Sequence, residues 1–168
     1  SCAGPDGIAF QAYRSLAKEF APILHRYLEA MGRREPIPKG FNEALLFLLS
    51  KGGTLTALDM RPLSVTNTDN RLVAKCMVDA VTPGLEAAIG DHQKGFLAGR
   101  NGESHIAEAN DEFYNSVKNA NGKAYHIFFF DLWKAYDSVH WDWMRRAMAA
   151  IGLPEWALNV VDGLLTDV

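Results

Sequence analysis

Residues 126–141 read HIFFFDLWKAYDSVHW, an apolar run that leads into a carboxylate, Asp131. The apolar run over residues 124–130 does not alternate with polar side chains, which predicts a strand covered on both faces. A carboxylate that follows a buried strand is costly unless another group pairs with it. The residues alone therefore leave two readings of Asp131 open: a cap of the following turn, or a group that binds a cation.

The bulk composition is that of an ordinary globular domain, with 48% hydrophobic and 22% charged residues among 168. The net charge of −3 gives no overall basic footprint for nucleic acid, although the first hundred residues are mildly basic. Two cysteines make no disulfide framework, and Cys76, in an apolar helical stripe, is expected in the core. With no membrane-length apolar run and no signal peptide, we expect an intracellular protein of the nucleus or cytoplasm, neither secreted nor membrane-bound.

Helical periodicity recurs along most of the chain. Apolar spacing over residues 10–31 predicts two short helices or one kinked helix, because Pro22 interrupts the pattern. A clean i, i+4 stripe predicts a helix from residue 68, with Pro83-Gly84 as a candidate end and a short continuation through Ile89. Further helices are predicted at 103–120, 141–151 and 154–165. In the helix at 103–120, three apolar residues are expected to face inward: Ile106, Phe113 and Val117.

Two further segments suit a hairpin. Residues 42–51 favour a buried strand, although their Glu, Ala and Leu leave a helix open, and residues 61–67 suit its partner. This hairpin would carry Lys51 and Arg61 near its two sides. Residues 90–102 form a glycine-rich loop. The predicted fold class is α+β, with helices packed on a small, mainly antiparallel sheet.

The segment DLWKAYDSVHW, which starts at Asp131, resembles the first catalytic motif of reverse transcriptases of non-LTR retrotransposons and group II introns. Three more segments resemble motifs of that family, in the order it requires: GPDGI at 4–8, LLSKGG…DMRPLSVTN…RLVAK at 48–75 and QKGFLAGR at 93–100. The resemblance implies the fingers of a right-hand polymerase over residues 1–120 and the beginning of its palm over 121–168.

The resemblance also implies an RNA-directed DNA polymerase, with an RNA template, a DNA primer and deoxynucleoside triphosphates as partners. Its two-metal nucleotidyl transfer to a primer 3′-hydroxyl uses Mg²⁺, with Mn²⁺ as an alternative. Asp131 would be a catalytic metal ligand and the backbone carbonyl of Leu132 a second oxygen ligand. Tyr136 would pack under the incoming sugar and exclude a 2′-hydroxyl; without the motif it would read as a core tyrosine.

Two cations are candidates for binding the triphosphate, Lys51 and Arg61. Ser50 stands where the family usually has proline, which leaves the hairpin geometry less defined. Arg71 and Lys75 lie one turn apart on the following helix. They are expected either to contact template phosphates or to lie on a solvated face.

The glycine loop supplies the remaining candidates for nucleic-acid binding: Gln93, Gly99 and Arg100. Its glycines would let the backbone approach a strand closely, and Arg100 can bind a phosphate. Phe96, in the same loop, is expected to pack into the core.

Family enzymes also need a later glycine loop and an Asp-Asp pair, and no Asp-Asp pair occurs in this sequence. We therefore expect that the fragment does not polymerise alone, and that an unpaired strand edge at 124–130 promotes self-association. Two other readings remain open at this point. One is a non-catalytic, RNA-binding scaffold of reverse-transcriptase type, and the other is an unrelated α/β interaction domain with chance motif matches.

Overall fold

The computed structural model describes residues 2–50, 52, 60–97, 99–119, 126–132 and 135–166, with the backbone alone for Tyr136 and Asp137. The chain divides into two compact units, Ser1–Val81 with Arg145–Val168 and Thr82–Met144. Helices and one small antiparallel sheet make up the described residues, in agreement with the predicted α+β class. No helix in these ranges is long and apolar enough to span a membrane.

The first unit begins with two helices, α1 (Phe10–Ser15) and α2 (Ala17–Gly32). The chain leaves helical geometry at Leu16, where φ is −116° and ψ is 38°. Pro22 lies inside α2, so the two-helix alternative is confirmed, but the break precedes the proline. Pro22 is the sixth residue of α2 and lacks a backbone N–H, so the helix continues through it with one hydrogen bond fewer.

A hairpin follows, formed by β1 (Ala44–Ser50) and β2 (Met60–Thr66). The strands are antiparallel, with Ala44 opposite Thr66 and Leu49 opposite Arg61. The strand prediction is confirmed, but the predicted burial of β1 is wrong. The side chains from Leu45 to Ser50 are exposed, because β1 and β2 pair only with each other among the described strands.

Helix α3 (Thr68–Ala88) runs from the first unit into the second. It passes through Pro83, so the helix does not end there, and the expected continuation towards Ile89 belongs to the same helix. A proline removes one hydrogen bond of a helix without necessarily ending it. Val73 and Met77 are the buried centre of its apolar stripe. Cys76 lies at the edge of that stripe and is exposed, contrary to prediction.

The core of the first unit joins α2 and α3 to the last helix, α7. Helix α6 (Trp141–Ala150) precedes α7 (Glu155–Leu165), and both confirm predicted helices. The buried cluster combines residues that are far apart in sequence: Met31, Phe41, Val73, Met77, Ala157 and Val160. The hairpin therefore extends from a helical core that needs both parts of this unit.

The second unit contains α4 (Gly102–Lys118), which confirms the predicted helix, and a single turn, α5 (Ala135–Ser138). Asn101 begins α4, because its side-chain oxygen accepts a hydrogen bond of 2.9 Å from the Ser104 amide. The predicted inward face is wrong, since its three residues are 44–65% exposed: Ile106, Phe113 and Val117. No described residue of α4 is buried.

The predicted strand at 124–130 is also wrong over its described part. Residues 126–130 have no regular secondary structure, and Phe129 and Phe130 are 92% and 91% exposed. A strand forms only with a hydrogen-bonded partner. Within the described ranges β1 and β2 use each other, and no third strand is available to pair with this segment. Residues 124 and 125 lie outside the described residues.

Candidate functional site

Asp131 follows an apolar stretch in the second unit and is exposed to solvent. No other described residue donates a hydrogen bond to its carboxylate or forms an ion pair with it. The carboxylate is therefore neither buried nor neutralised by a lysine within the described part of the chain. It is free to accept hydrogen bonds from water or to bind a cation.

The neighbours of Asp131 are described only in part. Leu132 is 73% exposed and has no regular structure, which leaves the backbone beside Asp131 open to solvent. Tyr136 lies in α5, but its side chain is outside the described residues, so its role against the nucleotide sugar stays a prediction. Lys51 also lies outside the described residues.

Arg61 belongs to the first unit, where it lies on β2 opposite Leu49. Its side chain is exposed and makes no hydrogen bond or ion pair with another described residue. A free guanidinium on a strand can bind phosphate oxygens in two places at once. Arg61 therefore retains the chemistry that the sequence assigned to it, while its contact with a triphosphate stays a prediction.

The two predicted cations of α3 have partners inside the protein. Arg71 donates from one terminal nitrogen to the carbonyl of Cys2 at 2.6 Å and to the hydroxyl of Thr68 at 3.1 Å. Its Nε is buried and has no partner. Lys75 forms an exposed ion pair with Asp79 one turn later. In this structure Arg71 ties the start of the chain to α3, whereas Lys75 lies on the solvated face.

The side chain of Arg100 holds together the loop that runs from Gly90 to Arg100. We call this segment the 90–100 loop. One terminal nitrogen donates to the carbonyls of Gly90 at 2.7 Å and Gln93 at 3.0 Å, and the other donates to that of Ile89 at 3.3 Å. Asp91 lies 3.6 Å from the second nitrogen. The guanidinium is thus occupied by the backbone of its own loop, which makes it a structural group as well as a candidate phosphate ligand.

Two of the described residues in the 90–100 loop have a positive φ angle. Gly99, with φ of 74°, needs glycine because a side chain disfavours this conformation. Phe96, with φ of 63°, is 95% exposed, so the prediction that it packs into the core is wrong. The backbone turns around the Arg100 side chain and directs Phe96 outward. Gln93 donates from its amide to the carbonyl of Gly95 at 3.1 Å, which places this predicted residue within the same loop structure.

The GPDG segment forms a turn that contacts the end of β2. The amide of Gly7 donates to the carbonyl of Gly4 at 3.0 Å, and the amide of Asp6 donates to Oδ1 of Asn67 at 3.1 Å. A Cβ atom on Gly4 would lie 2.5 Å from that same oxygen and 2.6 Å from the Asn67 backbone. Only glycine fits at position 4, because the GPDG turn packs directly against Asn67 at the end of β2.

Three buried asparagines at the base of the hairpin were missed by the sequence reasoning: Asn42, Asn67 and Asn70. We call them the asparagine cluster. Asn67 donates to the carbonyl of Gly40 at 2.9 Å, and Asn70 donates to the side-chain oxygen of Asn42 at 2.8 Å. Asn42 in turn donates to the carbonyl of Gly163 at 2.8 Å in α7. The sequence signal that could have found them is an asparagine just outside each end of the hairpin, Asn42 before β1 and Asn67 after β2.

The turn region carries negative charge. Burial, and secondarily the nearby carboxylates of Asp69 and Asp6, raise the pKa of Tyr13 to about 12. Burial also raises the pKa of Asp69 above its ordinary value. Burial therefore favours the neutral forms of both Tyr13 and Asp69 at this turn.

A divalent cation would find part of a binding site in the second unit. The carboxylate of Asp131 and the adjacent Leu132 backbone carbonyl are hard oxygen donors of the type that Mg²⁺ prefers. Among the described residues, Asp131 included, no group of three or more His, Cys, Asp or Glu side chains could hold a metal ion. The described residues therefore fit one side of a magnesium site and do not complete it.

A curated relative matches almost the whole chain. It is the retrovirus-related Pol polyprotein from type-1 retrotransposable element R2 of Popillia japonica, which is 25% identical over 170 residues. The alignment covers 99% of this chain and 22% of the relative, so the chain spans about a fifth of that protein's length.

The family model for reverse transcriptase (RNA-dependent DNA polymerase) matches residues 50–166. This region contains β2, the whole glycine loop and the motif that begins at Asp131, which first pointed to the family. Together the two comparisons confirm the resemblance to the non-LTR type of the enzyme. The match covers well over half of the sequence, and the chain therefore belongs to the reverse transcriptase family.

Proposed function

We propose that this chain is the fingers and the beginning of the palm of a non-LTR reverse transcriptase that copies an RNA template into DNA from a DNA primer. Residues 1–120 are assigned to the fingers and residues 121–168 to the palm. The order of the four motifs and the match of the family model over residues 50–166 support this assignment. Deoxynucleoside triphosphates are its substrates in this proposal.

One observation carries the catalytic part of the proposal: Asp131 presents an exposed carboxylate that no other described residue neutralises. Reverse transcriptases generally use divalent cations, typically Mg²⁺. Asp131 and the carbonyl of Leu132 would hold such ions, which activate the primer 3′-hydroxyl and neutralise triphosphate charge when bound.

The nucleotide would be bound from the hairpin. Arg61 is an exposed cation on β2 that bonds to no other described residue, and Lys51, which follows β1 in the sequence, would add a point charge. Tyr136 would lie under the sugar and reject a 2′-hydroxyl. In this arrangement the hairpin sets affinity for the triphosphate and the tyrosine sets the choice of sugar.

The remaining candidates would contact template and primer. Lys75 is exposed on α3, where it could exchange its partner Asp79 for a phosphate at little cost, because exposed ion pairs are weak. Gln93, Gly99 and Arg100 shape the 90–100 loop, and Gly99 allows a strand to approach its backbone. Arg71 would hold the start of α3 in place through its bonds to Cys2 and Thr68.

Primer extension by the complete protein tests the catalytic proposal. Asp131→Asn keeps the shape of the side chain and removes its charge, so extension on an RNA template should fall to background while binding of the primer–template persists. Asp111→Asn, on the exposed face of α4, is the matched control and should keep full extension. Undiminished extension by Asp131→Asn would refute the assignment of Asp131.

The fragment alone is expected to bind a primer–template without extending the primer, because its sequence has no Asp-Asp pair. The test combines the 168-residue fragment with primer–template, deoxynucleotides and Mg²⁺. Robust extension that disappears in Asp131→Ala would contradict this expectation. A complete protein that binds RNA but never extends a primer would instead favour a non-catalytic scaffold.

A further inference from the structure

We infer that the asparagine cluster sets the direction of the β1–β2 hairpin and thereby positions Arg61 for the incoming nucleotide. This inference rests on the proposed role of Arg61 in binding the triphosphate. Asn42, Asn67 and Asn70 would then be positioning residues, which act on the substrate only through the hairpin.

The hairpin has little other support among the described residues. Both strands pair only with each other, and the side chains from Leu45 to Ser50 are exposed on both faces. Such a two-stranded ribbon is not held in place by packing of its faces. Its direction relative to the helical core is therefore determined mainly where the two strands begin and end.

The asparagine cluster lies at that base. Asn67 directly follows β2 and donates at 2.9 Å to the carbonyl of Gly40, which precedes β1, so it fastens the two ends to each other. Asn42, two residues before β1, donates at 2.8 Å to the carbonyl of Gly163 in α7 and accepts at 2.8 Å from Asn70 in α3. The base is thus fixed to two of the three helices that form the core, α3 and α7.

The GPDG turn adds a fourth connection on the other side. Asn67 accepts from the amide of Asp6 at 3.1 Å, and Gly4 lies so close that a Cβ would be 2.5 Å from its side-chain oxygen. The side chains of Asn42, Asn67 and Asn70 are buried, so losing one of their hydrogen bonds leaves a buried polar group that water does not reach. Two family motifs that are about sixty residues apart meet at one amide group.

Distance along the strand amplifies any change at the base. Arg61 lies five residues before Thr66 on β2, which places it roughly 17 Å from the base, and a rotation of about 5° there would move it about 1.5 Å. Displacements of this size separate a guanidinium from a phosphate oxygen that it binds. Weakening the asparagine cluster should therefore reduce nucleotide affinity without removing any group that touches the nucleotide.

The test is steady-state primer extension by the complete protein, with rates divided by the active fraction from active-site titration. Asn67→Asp keeps the side-chain shape but removes the donor to Gly40, and we expect KM for deoxynucleotide to rise about tenfold with kcat nearly unchanged. Asn70→Ala removes only the side-chain bond to Asn42 and should also raise KM. It replaces Asn67→Asp as the test variant if that protein does not fold.

Asn159 supplies the matched control. It is a buried asparagine of the same unit, which donates to the carbonyl of Gly32 at 3.0 Å and accepts from Arg34 at 2.8 Å, remote from the hairpin in its bonding. Asn159→Asp should lower the melting temperature, as the cluster variants do, and leave KM unchanged. A purely structural role for the cluster predicts the same unchanged KM for all of these variants.

A double substitution separates this inference from the proposed function. If Asn67 acts through Arg61, Asn67→Asp should change KM less than about twofold once Arg61→Ala is present. If Arg61→Ala raises KM and neither cluster variant does, the inference is overturned while the proposed function stands. If the cluster variants raise KM and Arg61→Ala does not, the proposed role of Arg61 fails, and with it the route through the hairpin.

Discussion

Replacing Arg100 by alanine should open the 90–100 loop. The guanidinium donates three hydrogen bonds to backbone carbonyls, at 2.7, 3.0 and 3.3 Å, and its side chain is only 21% exposed. At about 1 kcal/mol for each bond, with the longest contributing least, the free energy of opening should fall by about 2 kcal/mol. The ion pair with Asp91 adds little, because that carboxylate is 96% exposed.

Hydrogen exchange followed by mass spectrometry measures this opening. A change of about 2 kcal/mol corresponds to roughly 30-fold faster exchange of the protected loop amides. Two amides report on it, those of Gln93 and Arg100, which bond to the carbonyls of Gly90 at 3.2 Å and Leu97 at 3.3 Å. Peptides from α7 in the other unit should exchange at the unchanged rate.

Arg100→Lys distinguishes geometry from charge. A lysine keeps the positive charge, but one ammonium group does not span three carbonyls as a planar guanidinium does. We therefore expect exchange nearly as fast as in Arg100→Ala. Unchanged exchange in the alanine variant would refute the structural role of Arg100. Slow exchange restored by lysine would show that charge alone closes the loop.

Three further predictions concern stability and association. Gly163→Ala should lower the free energy of unfolding by about 1 kcal/mol, because its Cβ would lie 2.8 Å from buried Met31. Gly84→Ala, with open space around it in α3, should raise that free energy by roughly 0.5–1 kcal/mol, and urea unfolding measures both. Burial raises the pKa of Tyr13 to about 12, so unfolding should become easier as the pH rises from about 10 towards 12, and Tyr13→Phe should abolish that part of the decline. Light scattering should show concentration-dependent association, and serine in place of two exposed phenylalanines, Phe129 and Phe130, should reduce it. A monomer at high concentration would contradict this prediction.

Local sequence patterns predicted the elements well and their burial poorly. The helices and the hairpin depend on patterns within short windows. The helical period near Val73 and the short apolar run of β1 were therefore enough to find them. Burial depends on what covers a face. The apolar side chains of β1, of α4 and of residues 126–130 lack such cover among the described residues.

For the candidate site too, some features follow from local sequence patterns and others do not. Its residue types follow from the motifs, and the exposure of Asp131 and Arg61 agrees with their predicted chemistry. The internal bonds of Arg100 could not be predicted, because a loop conformation has no sequence period. The asparagine cluster joins Asn42 to Gly163, more than a hundred residues away, and no local pattern reports such a contact.

The division of the first unit between the two ends of the chain has a consequence during protein synthesis. Its core needs α7, yet α2 and α3 leave the ribosome first, and about 5–20 residues are added each second. The 63 residues of the intervening unit therefore delay closure by roughly 3–13 seconds, during which Met31, Val73 and Met77 have no partner from α7. Nascent chains that are stalled before Glu155 should recruit chaperones that recognise apolar segments, and chains stalled well beyond Leu165 should release them.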